Sequence, residues 1–253
     1  MNSIARKQAV LKELQTTGSA NIIELAERLG VSTMTIRRDL MKFAEEGIVT
    51  LEHGGAILNG GSLFEYGMGV KENENSEEKE RIARHCAALV KDGQSVYIDS
   101  GTTGAAIAKL LGNRRHITVM THSLLAANAL AGNDQINLIM CPGVFRQRSM
   151  AFMGQLTDDF IKSFKIDLLF LCVEGIDAEN GVSVQDVKDG LTKRMLSEHA
   201  GTVVCAADST KFGKQLFCKI APADRISLFV TDSGLDESYK KEFSERGLNL
   251  ETV

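Results

Sequence analysis

A chain of 253 residues is long for a single small domain, and two domains are the natural expectation. Its formal charge of −4 excludes a uniformly basic nucleic-acid coat, and no apolar run approaches the ~20 residues of a membrane helix. The first residues, Met1-Asn2-Ser3-Ile4-Ala5-Arg6-Lys7, carry no apolar leader, so a cytoplasmic protein without a membrane partner is expected.

In chain order, residues 6–15 read as a helix with Val10, Leu11 and Leu14 as its apolar stripe. A second helix over 22–29 opens on Asn21-Ile22-Ile23-Glu24, the form of a capping box, and ends at Gly30. After the Gly30-Val31 break, Ser32-Thr33-Met34-Thr35-Ile36-Arg37-Arg38-Asp39-Leu40 begins a third helix that Gly47 stops. Two helices about such a break form a helix–turn–helix, whose second helix enters the DNA major groove with its N-terminal residues at base edges. Ser32 can cap that helix, Thr33 and Thr35 bring hydroxyls, and Arg37, Arg38 and Lys42 gather positive charge. Met34, Ile36, Leu40 and Phe43 cannot all face water and are expected to point inward. Two β-like runs over 48–58 flank Gly54-Gly55 and predict a small wing with His53 and Gly54 at its tip. The expected contacts to double-stranded operator DNA are therefore Ser32, Thr33, Thr35, Arg37, Arg38, Lys42, His53 and Gly54. Within residues 1–57 seven basic side chains are matched by seven acidic ones, so clustering on the third helix, not net charge, must supply affinity. Modest affinity per module predicts a homodimer or homotetramer.

Residues 59–76 read as a linker between a DNA-binding domain at 1–58 and a larger domain at 77–253. A long helix over 77–91 is followed by strand-like runs at 95–98, 117–121, 136–141, 167–173, 202–206 and 226–231. Helical stretches at 105–111, 124–131 and 191–199 separate most of them, which predicts an α/β domain with a largely parallel sheet. The five cysteines lack metal or redox spacing, and reduced, buried thiols are the expected state.

Ligands of open parallel sheets bind where strand C-termini meet helix N-termini. Three such corners are polar: Asp99-Ser100-Gly101-Thr102-Thr103-Gly104, Thr121-His122-Ser123 and Asp208-Ser209-Thr210-Lys211-Phe212-Gly213. The first lacks the lysine of a P-loop and suits a small phosphate monoester, although its threonines equally suit simple helix capping. At the third corner Asp208 and Lys211 fit a ligand's hydroxyl and phosphate, or equally an ordinary solvated pair. Arg146 and Arg148, after Pro142-Gly143, either add charge at the rim or are plain loop arginines. No histidine spacing suits a metal, no nucleophile elbow is present, and Asp177 and Asp208 are not placed together by the sequence as an acid–base pair.

On these segments, together with His53-Gly54-Gly55-Ala56 and Gly175-Ile176-Asp177 before Gly181-Val182, the chain resembles the DeoR family of bacterial sugar-catabolism regulators. The resemblance implies an N-terminal winged helix–turn–helix and a sensor domain like ribose-5-phosphate isomerase that has lost its catalysis. It implies no cofactor and a phosphorylated sugar or polyol as effector. The effector set so implied, together with the corners above, is Asp99, Gly101, Thr102, Thr103, Thr121, His122, Ser123, Arg148, Asp208 and Lys211. The chain departs from the family pattern in three places. Leu51 stands where a wing arginine is common, His122 where an asparagine is usual, and Pro142-Gly143 replaces a Gly-Gly. His122 against a phosphate predicts pH-sensitive binding near neutrality. The leading expectation is a non-enzymatic repressor of a carbohydrate catabolic operon. An isomerase-like enzyme with an appended DNA module, and a helix–turn–helix that serves protein contacts only, are the alternatives.

Overall fold

The computed structural model describes residues 2–59, 68, 71 and 74–253. Most of the expected 59–76 linker thus lies outside the described residues. The chain divides into two compact units, Met1–Glu74 and Asn75–Val253.

In the first unit, α1 (Ser3–Thr17) is capped by the Asn2 side chain and ended by Gly18 at φ +78°. Strand β1 (Ser19–Asn21) leads directly into α2 (Ile22–Leu29), where the Asn21 side chain accepts the N–H groups of Ile23 and Glu24. Gly30 at φ +64° ends α2 in the left-handed conformation that glycine adopts without strain. Helix α3 (Thr33–Glu45) follows, then the hairpin of β2 (Val49–Glu52) and β3 (Gly55–Leu58). The sheet order is β1-β3-β2, and a Cβ on Gly55 would lie 2.2 Å from the Ala20 carbonyl oxygen. Glycine is therefore required where the wing crosses β1. Val10, Leu11, Leu14, Leu25, Ile36, Leu40, Phe43 and Ile48 form the core between the helices and this sheet. Met34 does not join them: it is 65% exposed, against the inward direction expected. Ile36, Leu40 and Phe43 already fill the buried face, and Met34 falls about 200° around the helix from Ile36.

In the second unit, α4 (Ser76–Leu89) precedes a seven-stranded sheet. Its strands are β4 (Ser95–Ile98), β5 (Ile117–Thr121), β6 (Ile136–Met140), β9 (Ile166–Leu171), β12 (Ala200–Ala206), β14 (Leu228–Thr231) and β15 (Leu250–Thr252). They lie in the order β15-β14-β12-β9-β4-β5-β6, every pair parallel. Period-two alternation feeds two cores: Val96, Ile98, Leu168, Phe170 and Val204 face one layer, and Tyr97, Leu169, Leu171, Val203 and Cys205 the other. The first layer is covered by α4, α5 (Thr102–Leu110) and α6 (Leu124–Leu130). The second is covered by α8 (Val187–His199), α9 (Glu237–Glu245) and a small sheet of β10 (Gly175–Asp177), β11 (Gly181–Val184) and β13 (Cys218–Ala221). A hairpin of β7 (Val144–Arg146) and β8 (Ala151–Met153), followed by α7 (Gln155–Ile161), completes the unit. Because the large sheet is wholly parallel, all its strand C-termini share one edge. All five cysteines are free and buried.

Candidate DNA-reading face and sensor site

The start of α3 is fixed by Ser32, whose Oγ accepts the Thr35 N–H at 3.2 Å and lies 2.9 Å from the Thr35 hydroxyl. Thr33, Arg37, Arg38 and Lys42 are exposed on that helix, and His53 and Gly54 are exposed at the wing turn. Asp39, within the same run, faces inward and is 3% exposed. The Arg6 guanidinium on α1 grips it with Nε at 2.6 Å from Oδ2 and Nη2 at 3.3 Å from Oδ1. That fork removes an acidic side chain from the reading face and struts α1 against α3. Arg37, Arg38 and Lys42 therefore present their charge without a competing carboxylate from the middle of the helix.

At the sheet edge of the second unit, Asp99 ends β4 fully buried. Its Oδ1 accepts the Ser100 N–H at 2.7 Å, and its Oδ2 accepts the Cys172 N–H at 2.9 Å and the Lys193 ammonium at 2.6 Å. Lys193, from α8, also lies 3.4 Å from Asp189 Oδ1 and donates to the Ser100 carbonyl at 3.4 Å. Burial alone would depress the lysine, but Asp189 and Asp99 outweigh it and hold its pKa above the ordinary value. The ammonium is thus a permanent charge clamped between two carboxylates. It pins the loop that delivers Gly101, at φ +135°, to the N-terminus of α5, where no side chain caps the first turn. Glycine is needed in that loop, since a Cβ on Gly101 would meet the Cys172 Cβ at 3.1 Å and one on Gly104 the Asp99 carbonyl oxygen at 2.5 Å. The exposed backbone N–H groups of a helix start, flanked by Thr102 and Thr103, suit an anion chemically.

The next strand, β5, supplies His122, fully buried beside Asp99. The Tyr97 hydroxyl is 2.7 Å from His122 Nδ1, and Nε2 stands 3.7 Å from Asp99 Oδ1, beyond hydrogen-bond reach. A carboxylate facing Nε2 favours the proton on that nitrogen, so Tyr97 donates to Nδ1. Beyond β12, Asp208 accepts the Thr210 N–H at 3.2 Å, the Thr210 hydroxyl, and Asn75 Nδ2 at 3.0 Å. Lys211 Nζ lies 3.8 Å from its Oδ2. Burial raises the Asp208 pKa, yet Lys211, Thr210, Lys79 and Asn75 together bring it below the ordinary value. Ser209, in the same turn, donates N–H and hydroxyl to Asp232 after β14.

Residues 74–233 match the family described as the DeoR C terminal sensor domain, and residues 6–60 match the DeoR-like helix-turn-helix domain. The chain belongs to the DeoR family. It is 31% identical over 251 residues to the glycerol-3-phosphate regulon repressor of Escherichia coli strain K12, covering 99% of this chain and 99% of that one. It is 31% identical over 247 residues to a putative aga operon transcriptional repressor of Escherichia coli O157:H7, covering 97% of this chain and 92% of that one. Among solved structures, ribose 5-phosphate isomerase A from Methanocaldococcus jannaschii is similar at 18% identity, with a TM-score of 0.43 over 56% of this chain and 57% of that one.

In this DeoR-family regulator the three polar corners do share one sheet edge, but they fall into two clusters. The β4 and β5 corners are adjacent, whereas β9 separates the Asp208 corner from them. Thr121 and Ser123 are buried and serve the backbone: Thr121 Oγ1 donates to the Ile98 carbonyl at 2.7 Å and accepts the Ser123 N–H at 3.0 Å, and Ser123 Oγ caps α6. Arg148 is exposed in the turn between β7 and β8, and Arg146 pairs with Asp186 at 3.1 Å. Asp177 holds the β10–β11 turn, accepting the N–H groups of Glu179 and Asn180. The expected titration of His122 near neutrality is corrected: burial is the dominant influence and lowers its pKa to about 4, against the upward pull of Asp99. Sequence reading missed Lys193 and Asp189. Both lie on α8 four residues apart, but the helix starts at Val187 and not at the expected residue 191, so Asp189 falls outside the predicted helix.

Proposed function

We propose that this regulator represses a carbohydrate catabolic operon and that a phosphorylated sugar or polyol sets its hold on operator DNA. The names of its relatives support the metabolic class. In this reading the DNA-binding domain is 1–58, the linker 59–76 and the sensor 77–253. Ser32, Thr33, Thr35, Arg37, Arg38, Lys42, His53 and Gly54 meet the duplex. Gly101, Thr102 and Thr103 take the effector's phosphate at the uncapped start of α5. Arg148 and Lys211 add positive charge, while Asp99, Thr121, His122, Ser123 and Asp208 shape the two corners. The protein acts in the cytoplasm as a homodimer or homotetramer, because two-fold operators need two reading helices about 34 Å apart.

The observation that carries the sensor assignment is the Asp99–Lys193 clamp, which presents an uncapped helix start at the sheet edge. The same clamp supports a binding role over catalysis. Lys193 stays charged between carboxylates, and both Asp99 oxygens are already engaged, so neither is a ready proton carrier. The test is a thermal-shift screen of phosphorylated sugars and polyols on the full chain, repeated with promoter DNA. One compound should raise the melting temperature and change DNA affinity, since a ligand acts only through differential affinity for two states. Isomerisation of an aldose phosphate by the purified chain would count against the reading.

A further inference from the structure

Helix α3 carries one feature that the expected DNA contacts do not use. Met34 is 65% exposed and Met41 is 48% exposed, while Ile36, Leu40 and Phe43 of the same helix are at most 4% exposed. The Ser32 cap fixes Met34 as the second residue of the helix, within the first turn. At about 100° per residue, Met34, Arg37, Arg38 and Met41 fall within one arc of about 100°. Two thioethers thus lie in line with two guanidinium groups on the outward side of the helix. Helical Cβ atoms tilt toward the N-terminus, so Met34 projects farthest toward whatever meets the start of the helix.

We propose that Met34 determines operator specificity by packing its thioether on the C5-methyl group of a thymine in the major groove. The proposal rests on the reading that α3 enters that groove. The thymine methyl is the apolar group that base edges display there, and cytosine lacks it. Arginine forks take guanine O6 and N7, so Arg37 and Arg38, one turn along the same face from Met34, place that thymine beside a guanine. Methionine is flexible and polarisable and fits an irregular apolar surface at small rotamer cost to neighbours. Polar side chains at this position would meet the methyl without gain.

Selection of random-sequence duplexes by the full-length protein gives the wild-type motif, and each thymine in it is then replaced by deoxyuridine, which removes only the methyl. At one thymine per half-site the replacement should weaken wild-type binding about fourfold, the effect of withdrawing one CH2-sized group from burial. Met34→Ala should be indifferent to that replacement and lose the thymine preference while keeping the guanines. Met34→Leu should restore both. A wild-type protein insensitive to every deoxyuridine, or a Met34→Ala protein with an unchanged motif and methyl profile, overturns the proposal. Failure of the wild type to enrich any sequence overturns the groove reading itself, together with the proposal.

Discussion

Lys193 and His122 show how burial decides what a charge can do. Removing the Lys193 ammonium strands two carboxylates at the sheet edge, and breaking a buried pair costs about 3–5 kcal/mol. Lys193→Met should lower sensor stability by that amount in urea unfolding, and Lys193→Met with Asp99→Asn should recover part of it. His122 titrates at about 4 in the folded chain, against 6.5 for the unperturbed side chain. The unfolded state therefore binds more protons between those values, and folding stability falls as pH drops through that window. The loss is about 3 kcal/mol by linkage. His122→Asn, which does not titrate, should show a shallower decline from pH 6.5 to 4, and equal slopes would count against a buried neutral imidazole. Neither residue's role was legible locally. The 94 residues between Lys193 and Asp99 carry no spacing signal, and a histidine after a strand looks alike whether buried or exposed.

Elements divide by length in the same way. The long α3 and the hydrophobic strands of the large sheet are close to their expected positions, because 3.6- and two-residue periods repeat enough to be read. Short elements are not: β1, β7, β8, β10, β11 and β13 span three or four residues each and draw their partners from distant chain. Helix starts shift for a related reason, since α5 begins at Thr102 and not at the expected residue 105 once Gly101 takes its left-handed φ. Two substitutions test these joints. Gly104→Ala places a methyl against the Asp99 carbonyl and should cost about 1–3 kcal/mol, the usual range for overpacking, with a displaced Asp99 loop. Arg6→Ala leaves Asp39 buried without its fork and should destabilise the DNA-binding unit by about 3 kcal/mol, read by its own melting transition.

For the whole molecule, the two units predict separable losses. Thr103→Ala or Lys211→Ala should weaken the effector response while leaving operator affinity within about twofold, measured by titrations with and without the sugar phosphate. Equal loss of both activities would make these residues structural. Arg37→Ala with Arg38→Ala should reduce the salt slope of DNA binding by about 0.9 for each phosphate that is no longer neutralised. By itself the sequence determined the two-unit plan, the helix–turn–helix, the parallel sheet and the polar corners, because each is written in short-range periodicity and capping chemistry. Only the tertiary structure decided that Met34 turns outward, that Asp39 turns inward to Arg6, and that Lys193 anchors the Asp99 loop. Those outcomes depend on which helix face the core has already filled and on charges brought together from far along the chain.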